Sequence, residues 1–121
     1  MKKYTIQRTP FIVPTTDGKL IKEHVGLATD GNSKISIAHM IAPAGWAESF
    51  QIPKFDEYTY IIKGKKQIIV NGETLVLSAG ESIKINKNTR VQYSNPFLEP
   101  CEYLAICTPA FSIDLVNRET K

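Results

Sequence analysis

The chain has 121 residues, which by length is one domain with room for a single core. Its 42% apolar and 22% charged residues are ordinary for a globular protein, and no apolar run reaches the roughly 18 residues of a membrane-spanning helix. The net charge of +3 is scattered over Lys2, Lys3, Lys63, Lys65, Lys66, Lys84 and Lys87, without the dense basic stripe that a nucleic-acid partner requires.

The first ten residues, MKKYTIQRTP, start basic but lead into no apolar stretch. They do not read as a secretory leader, and the expected location is the cytoplasm. Residues 1–33 are expected to form an N-terminal extension with some strand. Within it, DGKLIKEHVG (17–26) suits either a turn of helix or a strand. From residue 34 the dominant period is two. KISIAHMIA (34–42) places Ile35, Ile37, His39 and Ile41 on one face and smaller residues on the other. YTYII (58–62) and KQIIVNGETLVL (66–77) follow. In the latter, Asn71-Gly72 between apolar runs is a strong hairpin signal.

SIKI (82–85), RVQYS (90–94) and CEYLAIC (101–107) complete the strands. If the last is extended, six steps of about 3.3 Å hold Cys101 and Cys107 roughly 20 Å apart, too far to bridge. Both read as small buried thiols. SIDLVNRE (112–119) suits a short terminal helix with Ser112 as its N-cap. Many short strands with glycine, proline and asparagine between them give an all-β chain, closed or in two antiparallel sheets, with at most short helical turns near the ends.

The spacing of certain residues goes further. Gly45, Gln51, Pro53, Glu57 and Gly64 stand at the intervals of G-x5-H-x-H-x3-E-x6-G, and Gly80, Asn86, Asn88, Val91 and Asn95 at those of G-x5-P-x-G-x2-H-x3-N. In both motifs, in order and separated by a hairpin, the chain resembles the cupin superfamily of small double-stranded β-helix barrels. The resemblance covers roughly residues 34–109. It implies one jelly-roll barrel domain over 1–121, with 1–33 as N-terminal strands and extension, 34–109 as the barrel and 110–121 as a C-terminal tail.

In metal-bearing members the ligands are three histidines and the glutamate. Here those positions hold Gln51, Pro53, Glu57 and Val91. Proline and valine have no donor atom, and an amide oxygen is a weak ligand for first-row metals. One carboxylate is not a site that typically needs about three or four protein ligands, so no metal and no other cofactor is expected. One rescue is open. If the isoleucine face of 34–42 is the interior one, His39 joins Gln51 and Glu57, either as a hydrogen-bonded interior residue or as part of a weak metal site.

Without metal, the barrel mouth is still a concave site for one small ligand. Alternation from Glu57 puts Thr59 and Ile61 on its face, and Val91, Tyr93 and Asn95 share another. If the inward positions of the family carry over, a mostly apolar pocket holds Gln51, Glu57, Thr59, Val91 and Tyr93, with His39 as a further candidate. Glu57 is its one certain ionisable group, and its pKa should lie above the ordinary carboxylate value of about 4.3. Asp56 points away from Glu57, Arg90 points away from Val91 toward a surface acid or an anionic ligand at the rim, and Trp46 reads as packing or a dimer contact.

The preferred function is metal-independent binding of a small molecule by a sensor, carrier or accessory protein. The alternative is an isomerase or lyase on a sugar or small carboxylic acid, with Glu57 as general acid and base. Tyr58, Tyr60 and Ile62 form an outer apolar strip, and the resemblance implies a homodimer through it.

Overall fold

The alternating apolar positions and the breakers between them produce ten strands and one short helix. In chain order these are β1 (Phe11–Ile12), β2 (Leu20–Val25), β3 (Ser36–Ala42), β4 (Trp46–Ala47), β5 (Asp56–Lys63), β6 (Lys65–Val70), β7 (Glu73–Ser78), β8 (Ser82–Ile85), β9 (Val91–Asn95), β10 (Cys101–Thr108) and α1 (Ile113–Val116). The computed structural model describes residues 3–119. A six-stranded sheet in the order β1-β2-β3-β10-β5-β8 faces a four-stranded sheet in the order β4-β9-β6-β7, and the pairings are antiparallel. This is the all-β jelly roll that the spacing implies. Segment 17–26 resolves as strand β2. The C-terminal helix is confined to four residues, with the Ser112 hydroxyl accepting from Leu115 N at 3.3 Å and Asn117 ending it at φ 50°.

Turn chemistry fixes the register. Asn71 (φ 51°) and Gly72 (φ 76°) make the two-residue turn between β6 and β7, where both positions need the left-handed region. Gly64 joins β5 to β6 at φ +83°, and a Cβ there would fall 2.4 Å from the Pro100 carbonyl oxygen, so no side chain fits. Asn95, the last residue of the second motif, is fully buried. Its side-chain Nδ2 donates to the carbonyls of Ala42, Pro43 and Glu99 at 3.2, 3.2 and 2.8 Å, tying the end of β3 to the loop before β10.

Ile61, Ile68, Leu77, Ile85 and Val91 pack between the sheets. A smaller cluster of Phe55, Cys107 and Val116, with Phe111 and Leu115 against it, seats α1. Cys101 and Cys107 are free and buried. On β3 the interior face is the small one: Met40 stands opposite Tyr103, Ala38 opposite Ala105 and Ser36 opposite Cys107. Short side chains at Ser36, Ala38 and Ala105 leave volume that isoleucines would have filled. That is why the barrel is hollow on this side.

Candidate functional site

The hollow is a chamber of about 540 Å³, lined from both sheets and from the segments before β2 and after β4. Four side chains make its floor. Glu57 comes from β5, Lys66 from β6, Tyr93 from β9 and Tyr103 from β10, each at an inward position of its strand. Lys66, Tyr93 and Tyr103 are at most 2% exposed. Glu57 is half-buried and lines the chamber.

The Lys66 Nζ lies 3.4 Å from the Tyr103 ring centroid and 4.5 Å from that of Tyr93, so the amine rests against two aromatic faces. Among the described residues the ion pairs join Lys19 and Arg118 to Glu48, His39 to Glu102 and Arg90 to Glu119. Glu57 and Lys66 enter none of them, and no hydrogen bond among those residues reaches either side chain. The hydroxyls of Tyr93, Tyr103 and Thr59 are buried without a partner as well.

The mouth is built differently. Lys19 Nζ sits 4.3 Å over the Trp46 ring and 3.9 Å from Glu48 Oε2, and Arg118 Nη2 approaches the same oxygen at 3.7 Å. Trp46 Nε1 donates to Asp17 Oδ2 at 2.7 Å, and Arg118 Nε donates to Gln51 Oε1 at 3.4 Å.

Burial sets the protonation of the floor. Desolvation pushes the Glu57 carboxyl up to about 7, opposed by the positive charge of Lys66. Desolvation pushes Lys66 down to about 7; the neighbouring Lys19 adds to this and Glu57 resists it. Both phenols are driven well above their ordinary range, chiefly by burial. Lys19 is lowered for the same first reason, with Glu48 pulling the other way.

Of the residues expected from sequence, Gln51, Glu57 and Tyr93 line the chamber. Thr59 and Val91 are in the wall behind it, 1% and 0% exposed; Val91 pairs with Gln51 through both backbone hydrogen bonds at 2.9 Å. His39 does not join them. It stands opposite Leu104 on the outer face of the six-stranded sheet, with Nε2 2.6 Å from Glu102 Oε2. The isoleucines it alternates with are also outside, because the hollow requires the small face of β3.

The expected apolar pocket with one ionisable group is likewise corrected, since Lys19, Glu48, Lys66 and Arg118 also line it. Period two contained part of that signal. Lys66 alternates with Ile68 and Val70, and Tyr103 with Cys101, Ala105 and Cys107. Lys19, Glu48 and Arg118 enter from irregular segments that carry no such pattern.

A transition metal of the kind held by three histidines and a glutamate does not fit these residues. Pro53 and Val91 offer no side-chain donor, Gln51 is occupied by Arg118, and His39 is on the wrong face. Among the described residues no three His, Cys, Asp or Glu side chains come together.

Residues 39–107 match the family model of the cupin domain. The chain belongs to the cupin family. This cupin is 40% identical over 109 residues to a Myxococcus xanthus (strain DK1622) protein named endoribonuclease YbeY; the match covers 90% of this chain and 37% of that protein. The chain thus spans little more than a third of that relative's length. Among solved structures it is similar to the polyketide cyclase RemF of Streptomyces resistomycificus, with a TM-score of 0.76, 13% identity, and 100% of this chain and 88% of that one covered. A Streptomyces protein, PAC13, solved with uridine, gives a TM-score of 0.75 at 15% identity over 99% of this chain and 92% of that one. At such identities the likeness establishes the fold. No helix among the described residues is long and apolar enough to cross a membrane.

Proposed function

We propose that this cupin binds one small polar molecule in the barrel without a metal, as a sensor, carrier or accessory protein. Gln51, Glu57 and Tyr93, with Lys66 and Tyr103, orient the ligand. One observation carries the reading: Glu57, Lys66, Tyr93 and Tyr103 surround an open chamber, the two tyrosine hydroxyls are buried without a hydrogen-bond partner, and neither Glu57 nor Lys66 enters an ion pair among the described residues. A buried polar group left unpaired costs about 1–3 kcal/mol, and a ligand that hydrogen-bonds to the floor recovers that loss. Uridine in the barrel-related Streptomyces protein supports a polar occupant of this size. The ribonuclease activity in the name of the Myxococcus relative is not carried over, because most of that protein lies beyond the match. We place the protein in the cytoplasm, where its two free thiols stay reduced.

The test is native mass spectrometry of the purified protein for a retained small molecule, followed by thermal shifts with sugars, small carboxylic acids and nucleosides. Tyr93→Phe and Tyr103→Phe are expected to lose the shift that wild type shows. A chamber that retains nothing and responds to none of these classes defeats the proposal.

A second reading, an isomerase or lyase on a sugar or small carboxylic acid, is favoured by one further observation. Glu57 has a second titratable group, Lys66, in the same chamber, and both are tuned toward neutrality. A folded Glu57→Gln variant with undiminished turnover removes it.

The partner for the outer sheet face is a second copy of the chain. Tyr58, Tyr60 and Ile62 are 41%, 44% and 40% exposed, and Tyr58 and Tyr60 stand opposite half-buried Ile106 and Leu104 on β10, which makes one apolar band. Sedimentation of wild type as a dimer and of Tyr60→Lys as a monomer is expected; a monomeric wild type removes this interface.

A further inference from the structure

Twelve lysines are present in the chain, and Lys66 is set apart from the rest by its surroundings rather than by its chemistry. It is buried on β6 opposite Leu77, and its amine lies inside the chamber against the faces of Tyr103 and Tyr93. Lys19, the other buried lysine, is occupied by Glu48 and Trp46. Lys66 has no carboxylate or hydrogen-bond acceptor holding it among the described residues, yet it faces enough open volume for a small molecule. Glu57, from the facing sheet, lines the same chamber and is the candidate to handle a proton.

We propose that Lys66 captures a small aldehyde or ketone as a reversible imine, with Glu57 moving the protons. This rests on the small-molecule reading above and deepens it to a chemical class. The amine lone pair attacks the carbonyl carbon, forming a C–N bond. The carbonyl π electrons go to oxygen, which takes a proton from the Glu57 carboxyl to become a hydroxyl. Glu57 takes a proton back from nitrogen and returns it to that hydroxyl, the C–O bond breaks, and water leaves. The imine that results consumes no oxidant or reductant, and water reverses it.

Three features of the floor favour this step. The first is an amine free to react: with its ordinary value brought down to about 7 by burial and by Lys19, a large share of Lys66 is unprotonated at neutral pH. The groups facing it from the packed elements are Glu57, Lys19, Glu48, Tyr93, Tyr103 and Cys101; of these, Glu57, Glu48 and, last, Cys101 oppose that shift. The second is an acid held near the same value, which both donates and accepts a proton at neutral pH. The third is the pair of ring faces, which stabilise the positive charge of a protonated imine as they do that of the ammonium.

The experiment uses the full chain at pH 7 with glycolaldehyde or pyruvate and sodium cyanoborohydride, which reduces an imine to a stable secondary amine. Intact mass and peptide mapping then locate the adduct. Ordinary surface lysines, with a pKa of about 10.4, are almost wholly protonated at that pH, so the larger free-amine fraction of Lys66 is expected to make it label on the order of a thousandfold faster. Lys66→Met should abolish the fast adduct, whereas replacing its exposed neighbour, Lys65→Met, should leave it intact. Glu57→Gln should slow labelling and flatten its pH profile between about 5 and 8.

Peptide mapping of wild type decides the matter even if Lys66→Met fails to fold. Label spread evenly over surface lysines, with Lys66 unmodified, overturns the imine. If Lys66 stays unmodified while non-carbonyl ligands still raise the melting temperature, the covalent step fails and the binding reading stands. If no ligand of any class shifts the melting temperature, the binding reading fails separately.

Discussion

The mouth and the floor of the chamber treat buried charge in opposite ways. At the mouth Lys19 and Arg118 share Glu48, Trp46 holds Asp17, and Gln51 receives Arg118. On the floor, Glu57, Lys66, Tyr93 and Tyr103 line the same chamber with no ion pair or side-chain hydrogen bond among them, the Lys66 amine resting only against the two aromatic rings. Partnered groups of the first kind behave as wall: they fix the positions of chain segments. Unpartnered groups of the second kind lower stability, and a protein keeps them where something else is to be bound.

If that contrast is right, removing charge should act with opposite signs at the two levels, and this is the largest effect expected. Replacing the floor pair, Glu57→Gln with Lys66→Met, removes two desolvated ionisable groups and should raise stability at pH 7 by about 1–3 kcal/mol. Lys19→Met at the mouth takes a cation from Glu48 and from the Trp46 face and should lower it by about 1–2 kcal/mol. Urea unfolding at one pH measures both. A floor variant that is less stable than wild type would mean that the floor is structural after all.

The same contrast has a pH signature of intermediate size. Glu57 is raised from 4.5 to about 7, so its folded form holds its proton more tightly than the unfolded chain does. Its contribution is fully present below about 4.5 and is lost as pH rises to about 7. Lys66 is lowered from 10.5 to about 7, so the unfolded chain binds its proton more tightly. Its contribution is fully present above about 10.5 and is lost as pH falls to about 7. The two losses meet near neutrality. Subtracting the stability profile of the double floor variant from that of wild type should therefore leave a trough centred near pH 7, read by denaturant melts from pH 5 to 9. Lys19→Met should keep that trough but move it to higher pH, because the charge of Lys19 lowers both Lys66 and Glu57; a flat difference curve would show that Glu57 and Lys66 are not desolvated as their positions imply.

Much of the barrel was legible because its strands obey period two and its turns use residues with few substitutes. Asn71-Gly72 and the spacing that ends at Gly64 and Asn95 are cases in which the backbone admits little else. The site was legible only in part. Glu57 and Tyr93 follow from alternation, but alternation does not say which face is interior, and for 34–42 hydrophobicity pointed the wrong way. Isoleucines packed the outer face, while Ser36 and Ala38 bounded the hollow. Lys66 was hidden by a different prior. A lysine among Lys63 and Lys65 reads as solvated, although its register with Ile68 puts it inside. Charges that enter from irregular segments, such as Lys19 and Arg118, have no period to betray them.

The smallest effect sharpens the comparison by separating partnership from burial. Arg90 and Glu119 form the most complete ion pair among the described residues, with Nε to Oε2 at 2.6 Å and Nη2 to Oε1 at 3.0 Å, but both are on the surface. Arg90 also lies 3.8 Å over the Phe50 ring, so Arg90→Ala removes packing as well as charge. Glu119→Gln keeps the stack and deletes only the ion pair. At an ionic strength of about 0.15 M, screening over roughly 8 Å should leave its melting temperature indistinguishable from wild type, with a small decrease emerging at low salt. A Glu119→Gln loss as large as that of Lys19→Met would mean that a good partner stabilises wherever it sits. No difference between them in the other direction, with Lys19→Met equally silent, would mean that the mouth is not a wall. Only a clear Lys19→Met defect beside a silent Glu119→Gln makes burial the property that turns a paired charge into structure, and an unpaired one into a site.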